Sequence, residues 1–327
     1  MRNELITIFG GSGFLGRYLT RELCRRGYRV RVAVRRPHLA VDLKVAGEIG
    51  QIQIVQANIR NRASIERAVE GATGVVNLVG VLFEEGRQSF AATMARGAGT
   101  VAEAAAAAGA THMVHVSANG ADAESDSAYA RAKAAGEDAV REAFPAATIL
   151  RPSVVFGPED DFLNKFATMA RFSPALPLIG GGKTKLQPVY AGDVARAIAG
   201  ALETPGAAGQ TFVLAGPSVY SFREILEFML EETGKRRFLI PLPWPVSSFM
   251  GKVGGALGRL PFVTPPVTAD QVTLLRTDNI AAPGEASGLA ALGVAHPETL
   301  ETIAPTYLRK YRRQGSEPDL ALAEEQA

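Results

Sequence analysis

Residues 4–16 read ELITIFGGSGFLG. A short apolar run, Leu5–Phe9, meets Gly10, Gly13 and Gly16 at the spacing G-x-x-G-x-x-G, and a helical pattern follows over Phe14–Arg26. Each glycine answers a separate steric demand. Gly10 allows a tight turn, Gly13 lets backbone approach a pyrophosphate, and Gly16 lets the helix pack on the strand. Phosphates then sit at the helix N-terminus, where unpaired N–H groups and the dipole favour negative charge. Three glycines alone are a weak signal. Between a strand and a helix they predict a dinucleotide site.

Working outward from this turn, strand and helix patterns alternate to about residue 157. Strands are predicted at Arg29–Val34, Ile52–Gln56, Gly74–Val79, His112–Ser117 and Thr148–Val155, and helices at Ser64–Glu70, Gly97–Ala108 and Ser127–Phe144. Such alternation implies a doubly wound parallel sheet. After Gly157 the texture changes to loops rich in proline and glycine, such as SPALPLIGGGK. Helices are expected over Asp161–Arg171, Asp193–Glu203 and Ser221–Thr233, with Asp193 and Ser221 as N-caps. The expected organisation is a dinucleotide-binding core over 1–157, with segments near 186–215 returning to the sheet. A smaller lobe follows over 158–313, and then a mobile acidic tail over 314–327.

The bulk numbers restrict the function classes. The chain has 327 residues, 47% hydrophobic and 21% charged, as in a soluble globular protein. A net charge of +2 gives no strong pull toward nucleic acid. The single cysteine, Cys24, cannot form a disulfide within the chain and is expected to fill core space. No signal peptide is expected, and no apolar run approaches the roughly 20 residues needed to span a bilayer.

Chemistry is carried by two places. The second strand ends in Arg35-Arg36. An acidic residue near this point would bond a ribose 2′-hydroxyl. Two guanidiniums suit a 2′-phosphate instead and favour NADP(H) over NAD(H). Tyr129 and Lys133 form Y-x-x-x-K on one face of a predicted helix. A nearby ammonium is expected to lower the tyrosine pKa, so that the phenol serves as acid or base near neutral pH. Ser117, at a strand end, is placed to polarise a substrate carbonyl.

With GGSGFLG, Ser117, Tyr129-x-x-x-Lys133 and RPSVVFGP, the chain resembles the extended short-chain dehydrogenase/reductase superfamily as far as about Arg313. The blocks QANIRNRASIERAV, VVNLVGVL, RPSVVFGPEDDFLNKF and LQPVYAGDVARAI look like the alpha-subcomplex subunit 9 group of respiratory complex I. The resemblance implies an α/β fold, a Rossmann-type doubly wound parallel sheet with a smaller C-terminal α/β lobe. It implies that Gly10, Ser12, Gly13, Phe14, Leu15, Gly16, Arg35 and Arg36 hold the phosphates and ribose end. Asn58 and Ile59 would lie near the adenine and Val79 and Gly80 near its ribose. Lys133 would serve the nicotinamide ribose, Pro152 and Val154 would border the nicotinamide, and Val116 and Tyr129 would also contact the cofactor. The resemblance further implies a role like that of the mitochondrial subunit, which binds NADPH tightly and stabilises the complex in place of turning over substrate, while some relatives are linked to quinone biosynthesis. The expected role is an accessory or assembly protein of complex I, or of another membrane-associated assembly, cytoplasmic or peripheral on the inner face of a bacterial membrane. The alternatives are an active reductase or epimerase, with a carbonyl, quinone-like or sugar-like substrate, and a redox-sensing binder. Three departures weigh against sugar catalysis. Asn58 replaces the usual Asp, Arg96 stands where an Asn is usual, and only eleven residues separate Ser117 from Tyr129.

Other signals are weaker. His112 and His115 lie three apart on a strand, so they cannot chelate one metal, and no metal is expected. Asp160-Asp161 reads as a helix cap in preference to an acid–base pair. In Trp244–Leu260, Val246, Phe249, Met250, Val253, Leu257 and Leu260 share a helical face, with Lys252 and Arg259 on another. Packing on the lobe's own core is preferred for it over docking to a membrane or partner. For YLRKYRR, residues 307–313, a solvated terminal helix and a docking face remain equal readings.

Overall fold

Every residue of Leu5–Phe9 is buried, so this run reads as continuous apolar sequence and forms the middle of a sheet covered on both faces. The structure, a computed structural model, describes residues 2–84, 86, 88–257, 267–282 and 287–312. The first half alternates β1 (Leu5–Phe9), α1 (Phe14–Arg25), β2 (Arg29–Val34), β3 (Ile52–Gln56), α2 (Arg62–Val69), β4 (Gly74–Asn77), α3 (Arg96–Ala107), β5 (His112–Val116), α4 (Ala128–Ala143) and β6 (Thr148–Pro152). There follow β7 (Val155–Phe156), α5 (Leu163–Phe172), β8 (Ala175–Ile179), β9 (Lys185–Leu186), β10 (Val189–Tyr190), α6 (Ala191–Glu203), β11 (Thr211–Leu214), β12 (Tyr220–Ser221), α7 (Phe222–Glu232) and β13 (Phe238–Leu242). The last described elements are α8 (Trp244–Leu257), α9 (Ala269–Leu274), α10 (Gly288–Ala291) and α11 (Leu300–Leu308).

Seven parallel strands form the main sheet in the order β11-β6-β5-β4-β1-β2-β3. Ile6 and Ile8 of β1 pair with Val30 and Val32 of β2 on one side and with Gly74 and Val76 of β4 on the other. The order reverses at β1, which places the ligand crevice at the C-terminal ends of β1 and β4. On one face of the sheet, Leu19 and Leu23 of α1 join Ala195 and Ile198 of α6 in a core with Ile8 and Val32. On the other, Ile65 of α2, Val101 of α3 and Val140 of α4 pack with Phe9 and Met113. Arg26 at the end of α1 meets Glu22 at 2.7 Å and Glu203 of α6 at 2.5 Å, which ties the late helix to the first.

A second core gathers Phe156, Phe166, Leu178, Phe222, Leu226 and Leu300 from β7 onward. Ser221 caps α7 in a capping box with Glu224, as its sequence position predicts. Asp193 does not cap α6. The helix starts two residues earlier at Ala191, and Asp193 lies wholly buried in its first turn, bonded to Arg196 and to the Glu298 amide. The helix expected from Asp161 starts at Leu163. Asp160 accepts from the Gly157 and Asn164 amides and from Tyr307 Oη at 2.7 Å, so it fastens loop and helix together. Tyr307 and Leu308 are buried, Tyr311 Oη donates to Asn164, and Arg312 to the Glu232 carbonyl, so YLRKYRR docks on the second core as far as Arg312. Arg313 and the tail over 314–327 lie outside the described residues.

The apolar face of α8 is divided. Met250 of that face packs on the second core, as does Trp244 from outside it, whereas Val246, Phe249 and Val253 are exposed. Packing on the lobe's own core therefore accounts for only part of that face. The Leu257 side chain, Arg259 and Leu260 lie outside the described residues. Among the described residues, no helix is long and apolar enough to cross a membrane.

Candidate cofactor and active site

The glycine turn follows β1 directly. Gly10 has φ +81°, a left-handed conformation that side chains rarely adopt. A Cβ on Gly16 would stand 2.5 Å from the Gly10 carbonyl oxygen and the Gly11 backbone, so only glycine permits this approach of helix to turn. Asn61, Ser127 and Ser221 cap α2, α4 and α7 with their side chains, but Gly13 cannot cap α1, and α1 has no acidic residue in its first turn. The amides around Ser12, Phe14 and Leu15 thus begin a helix whose positive end carries no side-chain partner. This is the electrostatic and steric fit a pyrophosphate requires.

The other sequence-predicted residues line the same edge of the sheet. Arg35 and Arg36 are exposed just past β2, and the Arg35 guanidinium donates to Gln88 Oε1 on the loop after β4. Asn58 follows β3, and its Oδ1 accepts from the Arg60 amide at 3.1 Å. Ile59 is buried against Gly97 of α3. Val79 flanks Gly10, and its amide is held by Asn77 Oδ1 at 3.1 Å. Lys133 Nζ donates to the Val116 carbonyl at 3.2 Å, and a Cβ on Gly80 would lie 3.5 Å from the same nitrogen. Pro152 is buried at the end of β6, and Val154 borders the second core.

Tyr129 and Lys133 do share a face of α4, with the Lys133 nitrogen 5.8 Å from the Tyr129 ring centroid. The phenol packs edge-on against Phe90, with ring centroids 5.9 Å apart. Their electrostatics differ from the expectation drawn from spacing. Burial, followed by the charge of Asp270, pushes the Tyr129 pKa up to about 12. Burial pulls that of Lys133 down to about 8, with Glu137 opposing. The ammonium does not offset desolvation of the phenolate, so Tyr129 is a neutral phenol near pH 7.

Ser117 is buried on the face of β5 that carries His115. Its hydroxyl makes no well-formed hydrogen bond, but it lies close enough to Glu137 to help keep that carboxylate ionised. Glu137 is 1% exposed, and Arg151 grips it with two bonds of 2.8 Å while Arg141 adds a third at 3.1 Å. His115 Nδ1 meets Asn77 Nδ2 at 3.2 Å, its Nε2 has no partner, and burial pulls its pKa down to about 3, so it stays neutral.

Sequence reasoning missed four participants: Gln88, Phe90, Glu137 and Asp270. Glu137 carried a signal, since Tyr129, Lys133 and Glu137 recur every four residues on one helical face. Asp270 carried none. It sits in a short helix 141 residues beyond Tyr129, yet it accepts from the Tyr129 amide at 3.3 Å.

A seven-stranded parallel sheet with a glycine-lined, uncapped helix start and a Tyr–Lys helix beside it defines a nucleotide-binding Rossmann protein. The chain belongs to the NAD dependent epimerase/dehydratase family, whose model matches residues 6–215. NADH dehydrogenase (ubiquinone) 1 alpha subcomplex subunit 9, mitochondrial, of Mus musculus is 36% identical over 308 residues, or 94% of this chain and 80% of that protein. The ceramide reductase of Caulobacter vibrioides is 33% identical over 245 residues, 74% of each chain. The triphenylmethane reductase of Citrobacter sp., solved in complex with NADP(H), matches with a TM-score of 0.71 at 19% identity, covering 92% of this chain and 99% of that one. At that identity the likeness is one of fold.

Proposed function

We propose that the chain is an NADP(H)-binding accessory or assembly protein of respiratory complex I, with a chiefly structural cofactor. The observation that carries this reading is the contrast within one site. The nucleotide end has a glycine turn, an uncapped helix start and two arginines. At the reacting end, burial and then Asp270 push the Tyr129 pKa up to about 12, away from the range in which a phenolate base forms near neutral pH. A phenol in that state does not abstract protons near pH 7. The relationship to a complex I subunit along 94% of the chain supports the same reading. Arg35 and Arg36 would bind a 2′-phosphate, which favours NADP(H), and Lys133 would hold the nicotinamide ribose. A ligand bound only by the native state at about 1,000 times its Kd stabilises the fold by roughly 4 kcal/mol. In this role the protein would lie peripherally on the inner face of a bacterial membrane.

A second reading rests on the same phenol. A neutral Tyr129 is the correct form to donate a proton to a carbonyl oxygen, for which the nicotinamide would supply hydride. A relative named ceramide reductase favours this. The chain would then reduce a carbonyl or quinone-like substrate with Tyr129 as acid, and Ser117 would have to turn from Glu137 to polarise the carbonyl.

Nucleotide released by denaturing freshly purified protein, identified by mass spectrometry, tests both. Stoichiometric NADPH that stays reduced with carbonyl and quinone panels is the expected result. Rapid oxidation that is lost in Tyr129→Phe would install the reductase reading. Protein that neither retains nor binds either nucleotide would sink both readings.

A further inference from the structure

We infer that Asp270 is a positioning residue for the helix that carries Tyr129 and Lys133, so that this helix is completed by a residue of the C-terminal region. The inference rests on the proposed nucleotide site.

The geometry is that of a shared cap. Ser127 is the N-cap of α4, and its Oγ accepts from the Ala130 amide at 3.1 Å. The hydroxyl hydrogen of Ser127 then goes to Asp270 Oδ2 at 2.8 Å. The Ala128 amide donates to Oδ1 at 2.7 Å, and the Tyr129 amide to Oδ2 at 3.3 Å. One carboxylate thus satisfies a hydroxyl and two of the helix's four unpaired amides, at the helix end where negative charge is stabilised. Ser127 alone would leave those two amides without a partner.

Asp270 is itself held firmly. Thr268 and Gln271 form a capping box around the start of α9, and Val272 is buried. α9 lies against α8 at two glycines. A Cβ on Gly251 would stand 2.8 Å from Ala269 Cα, and one on Gly254 would stand 2.3 Å from the Val267 carbonyl oxygen. The close approach of these helices sets where the Asp270 carboxylate stands.

The placement has two consequences. The first turn of α4 is fixed, and with it the backbone of Tyr129 and the direction of Lys133 one turn on. A negative charge also stands at the Tyr129 backbone and, after burial, adds to what opposes ionisation of the phenol. The groups that meet Tyr129 are Lys133 one turn along its own helix, Asp270 from α9, and the uncharged Phe90, Met94 and Val81. Asp270 therefore reinforces burial in disfavouring the Tyr129 phenolate.

Full-length Asp270→Asn and Asp270→Ala, compared with the wild type, test this. Tyr129 is followed by pH titration of 13Cζ-labelled tyrosine, with its signal assigned through Tyr129→Phe, and NADPH binding is followed by fluorescence. Asparagine keeps an oxygen for the amides but removes the charge, so Tyr129 is expected to ionise at lower pH, its acid constant rising roughly tenfold. Alanine removes the cap as well, and NADPH affinity is expected to fall roughly five- to tenfold. A Tyr129 titration identical in wild type and Asp270→Asn overturns the inference, as does an Asp270→Ala protein that binds NADPH as tightly as wild type. If the wild type binds no NADPH, the proposed function fails, and the titration alone decides for or against Asp270. If Asp270→Ala does not fold, Asp270→Asn decides by the same titration.

Discussion

At the β1–α1 turn the recognition surface is backbone. Gly10 and Gly16 have no side chain to place, and the helix start lacks a cap. At the α4 end of the same sheet edge the surface is charge met by charge: Lys133 and Glu137 in the interior, the half-exposed arginines that grip Glu137, and the half-buried Asp270 at the helix start. The first end needs only a turn of the right shape. The second depends on partners brought from β6 and α9. A glycine motif is therefore a local statement about binding, while a Tyr–Lys spacing becomes a statement about reactivity only once its surroundings are known.

The strongest way to break this comparison is at Glu137. Arg151→Met leaves a carboxylate that is 1% exposed with Arg141 as its remaining ion-pair partner among the described residues. Removing one partner of a buried ion pair is strongly destabilising, here by roughly 3–5 kcal/mol in urea unfolding. A loss below about 1 kcal/mol, the range of surface pairs, would mean that water reaches Glu137 and that the two ends are not built differently.

Lys133 gives the next effect, and its sign depends on pH. Its folded pKa, about 8, lies below its ordinary 10.5, so the native state prefers the neutral amine. The stability contributed by this group is complete above 10.5 and is lost as pH falls toward 8. Below 8 the penalty is constant at roughly 3 kcal/mol. Lys133→Met is therefore expected to be more stable than wild type at pH 7, by an amount that shrinks between pH 8 and 10.5, and to lose NADPH affinity. Tyr129 acts oppositely. Its raised pKa contributes stability that is lost from pH 10 to about 12, so the comparison is read below pH 10. Unfolding curves at pH 7 and 9.5 measure the difference. A variant less stable than wild type at pH 7 would show that the ammonium's bond to Val116 outweighs its desolvation.

What the sequence disclosed follows the same division. Leu5–Phe9, Gly10 and Gly16 were legible because each is determined by its neighbours along the chain. The Ser221 cap was legible because a serine stands just ahead of the helical pattern, and the structure adds Glu224 to it as the other half of a capping box. Asp193 misled, because a capping residue type also serves as a buried anchor when Glu298, far along the chain, donates to it. The Tyr129–Lys133 face was visible, but its electrostatics were not, since burial reverses the expected shift and Asp270 comes from a distant helix. On α8 the periodicity located an apolar face, but periodicity cannot tell which apolar positions meet a core and which meet solvent.

The smallest effect sharpens the comparison at the nucleotide end, where one side-chain contact does intervene. Gln88 accepts from the Arg35 guanidinium across the gap between the β4 and β2 loops. Arg35 is exposed, so this bond contributes little to folding, and its consequence is to aim a flexible cation where a 2′-phosphate would lie. Losing a bond of this kind costs about 0.5–1.5 kcal/mol, so Gln88→Ala is expected to weaken NADPH binding roughly two- to tenfold. NADH, which lacks the 2′-phosphate, is expected to bind as before. Titrating both nucleotides against wild type, Gln88→Ala and Arg35→Ala separates the cases. A selective loss for NADPH, larger in Arg35→Ala, makes Gln88 the residue that orients the arginine. An equal loss for both nucleotides would place Gln88 against the adenine itself, and the nucleotide end would then be built from side chains as well as backbone.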